Sequence, residues 1–147
     1  MKKIVILCAT ILALSTANAQ APKQIKWTIA AKRTSPNSAV IFYKATLSPT
    51  WHIWSQNPGD DMLIPPTWSY DDKSIKNVGQ AKETGKKISK TEEGFKGKLN
   101  FYEGSVVFTQ KVSLVNQKII SGSINYQICD PKSCLPPTDH KFSVTLK

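Results

Sequence analysis

Seven or eight short segments in which apolar and polar residues alternate, turn residues between most of them, and almost no helical periodicity predict an all-β chain. Strands that bury one face need a partner layer, so the predicted fold is a two-sheet antiparallel β-sandwich of immunoglobulin-like type. At 147 residues the chain suits one domain, long enough to bury a core without a covalent staple. No internal repeat or low-complexity tract interrupts it.

Residues 1–19 stand apart. Lys2 and Lys3 form a charged start, Ile4 to Leu14 an apolar run, and Ala17-Asn18-Ala19 a small-x-small cleavage site, so a cleavable signal peptide is expected and the domain is expected to cover residues 20–147. The apolar run is too short to span a membrane, and no later segment approaches the ~20 apolar residues a span requires. Cys8 departs with the signal. Leu7 stands before it where a lipid-attachment site would have a small residue.

In the mature chain, Ile25, Trp27 and Ile29 alternate with polar residues, and Ala39 to Leu47 is rich in β-branched and aromatic residues before Ser48-Pro49 closes it. Trp51-His52-Ile53-Trp54 is a short third strand, ended by the turn-forming Asn57-Pro58-Gly59-Asp60. Pro65-Pro66 forces an extended entry into Thr67 to Tyr70, Asp71-Asp72 closes it, and a weaker strand falls near Ile75 to Val78. From Gln80 to Gly104 lysine, glutamate and glycine prevail, which predicts a long loop broken by short extended pieces; loops of this length are often functional. Phe95 and Phe101-Tyr102 are its exceptions, since an aromatic on a polar loop either docks into the core or covers something. Beyond it Val106, Phe108, Val112 and Leu114 share a parity and Asn116-Gln117 make a turn. Ile120, Ile124, Tyr126 and Ile128 continue the next strand, Tyr126 as a packing residue, and Phe142, Val144 and Leu146 supply the last.

The chain carries 20 Lys and Arg against 10 Asp and Glu. Without Lys2 and Lys3 the basic residues number 18, so the mature net charge is about +8. Six lysines fall between Lys82 and Lys98, but Glu83, Glu92 and Glu93 are interleaved with them, as on a solvated edge. Export argues against nucleic acid as a partner, and no cofactor is expected.

Two cysteines remain after the signal, in the segment Tyr126 to Pro137, YQICDPKSCLPP. Disulfides form and persist in exported proteins, so Cys129 and Cys134 are expected to pair at least part of the time. Closing so small a ring constrains the unfolded chain little, worth about 2 kcal/mol in the entropic model. Bounded by Pro131, Pro136 and Pro137, the loop also holds its sulfurs in a fixed pose at a domain edge, as thiol exchange requires. A redox pair and a structural staple both remain open on the pattern. No helix start is predicted beside the sulfurs; Lys132 would favour a thiolate and Asp130 oppose it, so speed would come from docking a matched partner. Zinc capture by Cys129, Cys134 and a histidine such as His140 is a third possibility, weakened by the lack of a second ligand pair and by the oxidising compartment.

Tyr126-Gln127, Cys129, Cys134 and Pro136-Pro137 resemble the active-site hairpin of the DsbD N-terminal domain family, periplasmic immunoglobulin-like domains of a thiol:disulfide interchange protein. Phe95-Lys96-Gly97-Lys98 followed by Tyr102 is similar to that family's cap loop, in which a phenylalanine shields the cysteines until a partner docks. Trp51-His52-Ile53-Trp54 falls where the family has an aromatic-rich strand. The resemblance implies a periplasmic electron relay, fed by a membrane-linked donor and passing reducing equivalents to thioredoxin-fold proteins such as a disulfide isomerase and a cytochrome c maturation factor. It further implies that Cys134 forms the mixed disulfide and Cys129 resolves it. Phe95 would be the cap, with Glu93 beside it, and His52 and Trp54 would flank the site.

This chain departs from the family pattern in places. Four residues rather than five separate the cysteines, His52 and Trp54 replace tyrosines, and Gly94 replaces an acidic residue. No membrane conduit and no thioredoxin-like Cys-x-x-Cys follow the domain, so the donor is expected to be a separate protein. Phe95 and Trp54 also suit plain core packing, and His52 a half-exposed strand position. The alternative to the relay is a non-catalytic immunoglobulin-like binding module with a structural disulfide.

Overall fold

The computed structural model describes residues 22–147. The predicted export signal at 1–19, its cleavage site at Ala19 and Cys8 lie outside the described residues. In chain order the strands are β1 (Ile25–Ser35), β2 (Ser38–Leu47), β3 (His52–Trp54), β4 (Thr67–Tyr70), β5 (Lys76–Asn77), β6 (Lys82–Thr91), β7 (Lys98–Ser113), β8 (Ile119–Tyr126), β9 (Ile128–Cys129) and β10 (Thr138–Thr145). Among the described residues no helix is long and apolar enough to cross a membrane.

The first sheet is organised on β7, at 16 residues its longest strand. Along one edge β7 carries β2 and then β3; along the other it carries β6 and β5. β1 extends the sheet beyond β2, and β9 extends it beyond β3. The second sheet runs β10-β8-β4, and all these pairings are antiparallel. Alternate residues of both sheets meet in one core containing Tyr43, Val106, Phe108, Ile120, Ile124 and Tyr126. There the Tyr43 and Trp68 rings stack with centroids 4.9 Å apart. The fold is the immunoglobulin-like sandwich expected from the alternation.

Two segments depart from the expected pattern. Residues 80–104 are not a long loop, because β6 and the start of β7 form a hairpin there. Isoleucine 88 is the one apolar side chain of β6, so no alternation marks a strand that its backbone ladder to β7 holds in place. Ile128 does not continue the strand of Tyr126 either. The chain leaves the second sheet after Tyr126 and joins the first at Ile128. Both sheets face the same core, so the parity runs on unbroken through the switch.

Gly104 divides β7 into two working halves. Its φ of +68° lies in the left-handed region, where a side chain would be strained. Ser105 to Ser113 pair with β2 over the main core, while Phe101 to Glu103 pair with β3. The half before Gly104 builds the site.

Candidate functional site

At this end of the first sheet, strands bury side chains on both faces. Ile53, Tyr102 and Ile128 enter the main core, whereas their neighbours Trp54, Phe101 and Cys129 form a second cluster with Leu63 and Leu99. Ile88 and Phe95 pack against that cluster. Strand register explains the grouping: Trp54 lies opposite Phe101, and His52 lies between Glu103 on β7 and Cys129 on β9. Since alternate residues share a face, these five side chains occupy one surface. Ile88 and Lys90 extend it, paired with Phe101 and Leu99. The His52 ring stands 4.8 Å from that of Trp54 and 4.6 Å from that of Phe101, centroid to centroid.

Cys129 and Cys134 are joined in a disulfide, their Cα atoms 3.9 Å apart across a hairpin. Pro131 and Lys132 form the hairpin tip. The Asp130 N–H donates to the Ser133 carbonyl at 2.8 Å, and the Leu135 N–H to the Ile128 carbonyl at 2.9 Å. The Asp130 carboxylate accepts the N–H groups of Lys132 at 2.8 Å and Ser133 at 2.7 Å, a local turn typical of aspartate. Those donors hold the Asp130 carboxyl below its usual range. The two cysteines are not equivalent: Cys129 is 2% exposed, whereas Cys134 is open to solvent.

A loop from Glu92 to Gly97 joins β6 to β7 and lays Phe95, partly buried, on the cluster. Its far side is tied to residues 57–63. Asp60 accepts the Lys96 N–H at 3.0 Å on one carboxylate oxygen and the Met62 N–H at 2.9 Å on the other. Both bonds lower the Asp60 pKa below the usual carboxylate range. Backbone meets backbone alongside: Gly59 has φ +97°, and a Cβ there would lie 1.9 Å from the Lys98 carbonyl oxygen. Only glycine permits that approach.

Together these elements surround a cleft of about 260 Å³ whose lining includes His52, Trp54, Phe95, Cys129 and Cys134. Glu93 is exposed and not part of the lining; its neighbour Glu92 is. Lys90, Glu103, Asp130 and Lys132 add charges of both signs. The His52 Nε2 is enclosed and has no hydrogen-bond partner. Burial pushes the His52 pKa below its usual value, against the opposing pull of Glu103, so the ring is neutral at pH 7. His140 lies elsewhere, on β10 opposite Ile124 and stacked on Trp27, and is not brought to the sulfurs.

Sequence reasoning missed Leu63, Lys90, Glu92, Leu99, Phe101 and Glu103 as lining residues. One signal was present, because two adjacent aromatics at Phe101-Tyr102 on a strand must point to opposite faces and so require cover on both. The site can carry out one kind of chemistry directly: opening and closing a disulfide with one sulfur presented and the other withheld.

The family model described as thiol:disulfide interchange protein DsbD, N-terminal, matches residues 16–146. Among solved structures, the chain is similar to the N-terminal periplasmic domain of ScsB from Proteus mirabilis, with a TM-score of 0.67 and 15% identity over 84% of this chain and 47% of that one. It thus spans about half the length of that structure. It is also similar to the Neisseria meningitidis DsbD N-terminal domain in the reduced form, with a TM-score of 0.54 and 16% identity over 89% of this chain and 94% of that one. At these identities the structural likeness shows a shared fold alone. No curated protein matches the chain.

Proposed function

Since the chain belongs to the family of DsbD N-terminal domains, we propose that it is a periplasmic relay, exchanging thiols for disulfides with exported thioredoxin-fold proteins through Cys129 and Cys134. The observation that carries the proposal is the unequal exposure of two bonded cysteines, one 2% exposed and the other open. In the reduced domain the Cys134 thiolate attacks a partner disulfide and forms a mixed disulfide, releasing the partner's first thiolate. Cys129, withheld from partners by the cluster around it, then attacks the Cys134 sulfur and expels the partner's second thiolate. The domain loses two electrons and the partner gains them. A membrane-linked dithiol restores the pair, and the acceptors are of the disulfide isomerase and cytochrome c maturation classes.

Phe95, Trp54 and His52 flank this chemistry. Phe95 acts as a cap, closing over Cys129 until a partner displaces it. Glu93, exposed beside the cap, belongs to the surface a partner would meet.

The test is a trap. Cys129→Ser, exposed to exported proteins that carry a thioredoxin fold, should accumulate partner-linked species through Cys134, and Cys134→Ser should not. If neither variant forms a mixed disulfide with any such protein, the relay is abandoned. The reduction potential of the pair supplies an independent criterion. A value well below about −300 mV marks a structural staple and hence the binding-module alternative; a higher poise marks an exchange pair.

A further inference from the structure

We propose that His52 accepts the proton of Cys129 when this buried thiol resolves a mixed disulfide held on Cys134, an inference that rests on the exchange function proposed above. Cys129 is 2% exposed, so water is poorly placed to take its proton and a group inside the cleft must do so. His52 is its direct partner in the β3–β9 pairing, on the same face and in the same cleft. Its Nε2 is enclosed and unpaired in the oxidised domain. A buried polar atom without a partner costs free energy, which a structure retains when another state supplies the partner. A Cys129 S–H is such a partner, formed when the disulfide opens.

The surroundings suit a base that begins neutral and gains a proton in passing. Burial keeps the imidazole neutral, while Glu103 on β7, Glu92 in the cap loop and Asp130 on the cysteine hairpin favour the imidazolium once it forms. Lys90 on β6 opposes it. Asp130 is the nearer carboxylate in sequence, but its Oδ1 is engaged by two backbone N–H groups. In the step itself the Cys129 proton passes to His52 Nε2 and the resulting thiolate attacks the Cys134 sulfur. The Cys129–Cys134 bond forms as the bond from Cys134 to the partner breaks. The partner leaves as a thiolate, and His52 returns its proton to that thiolate or to solvent.

The test uses the reduced protein and an aromatic disulfide, dithiobis(nitrobenzoate), whose thiolate is coloured. Capture of Cys134 releases one coloured thiolate, and resolution by Cys129 releases a second. The first phase reports access to Cys134 and serves to normalise the second. In His52→Gln and His52→Phe the normalised second phase should slow about tenfold near pH 7. The gap should close as pH rises past about 8.5, where an ordinary thiol ionises unaided. Second-phase pH profiles that superimpose on the wild type would overturn the inference, as would slowing by one factor at every pH, which signals lost packing. Gln preserves polarity and approximate size, so a damaged Phe variant still leaves a decisive comparison. If the wild type itself shows no second phase, the exchange function fails along with the role of His52.

Discussion

Replacing Phe95 with alanine separates a cap from an ordinary hydrophobic anchor. Burying a phenylalanine side chain fully is worth about 1.5–3 kcal/mol. Phe95 is partly buried against the Trp54, Phe101 and Cys129 cluster, so its removal should cost roughly 1–2 kcal/mol. If that contact holds only the 92–97 loop closed, the cost falls on loop opening. One factor of ten per ~1.4 kcal/mol then predicts about a 5- to 30-fold rise in the open population. Alkylation of Cys129 by iodoacetamide, in a Cys134→Ser background so that one thiol is read, should accelerate by that factor. Global stability to urea should fall by much less, because the main core is untouched. The reverse result, unchanged alkylation with the full loss appearing in global unfolding, would refute the cap and make Phe95 a packing residue.

Three further outcomes follow from the surrounding contacts. The Glu83 carboxylate accepts the Tyr102 hydroxyl at 2.7 Å, the Ser55 hydroxyl at 2.9 Å and the Gln56 N–H at 2.6 Å. Glu83→Ala strands buried donors and should cost about 2–4 kcal/mol in urea unfolding. Burial raises the Glu83 pKa, but donors from Gln56, Tyr102, Ser55 and Lys87 outweigh it and leave the carboxyl below its usual value. Its contribution is therefore present above the ordinary glutamate range and lost as pH falls through the folded pKa, so the gap between wild type and variant should narrow in acid. Gly59→Ala places a methyl against the Lys98 carbonyl at a positive φ, and should both destabilise by more than about 2 kcal/mol and expose Cys129 to alkylation. Asp60, with its depressed pKa, should release the Lys96 amide as pH falls below the usual carboxylate range. Hydrogen exchange at that amide would report it, and Asp60→Ala should give the same release at neutral pH.

Much of the architecture was legible in the chain because its causes are local. Ile41, Tyr43 and Ala45 announce an inward face by alternation alone, and Pro65-Pro66 announces an extended entry by sterics. β6 was not legible, since a lysine-rich strand over solvent has no apolar face to display and owes its order to β7. The site was legible in its sulfurs and its lone loop aromatic. It was illegible in its walls, because Leu63, Lys90 and the pair Leu99 and Glu103 come from three separate segments.

By itself the sequence determined an all-β sandwich and a cysteine pair in a stiff, proline-bounded turn, because alternation, turn chemistry and close spacing act between neighbours along the chain. Tertiary structure alone decided that Cys129 is withheld and Cys134 presented, and that His52 lies across from the withheld sulfur. The physical reason is strand pairing. Residues 52, 103 and 129 share one face only when β3 sits between β7 and β9, and no local pattern encodes which distant strands will be neighbours.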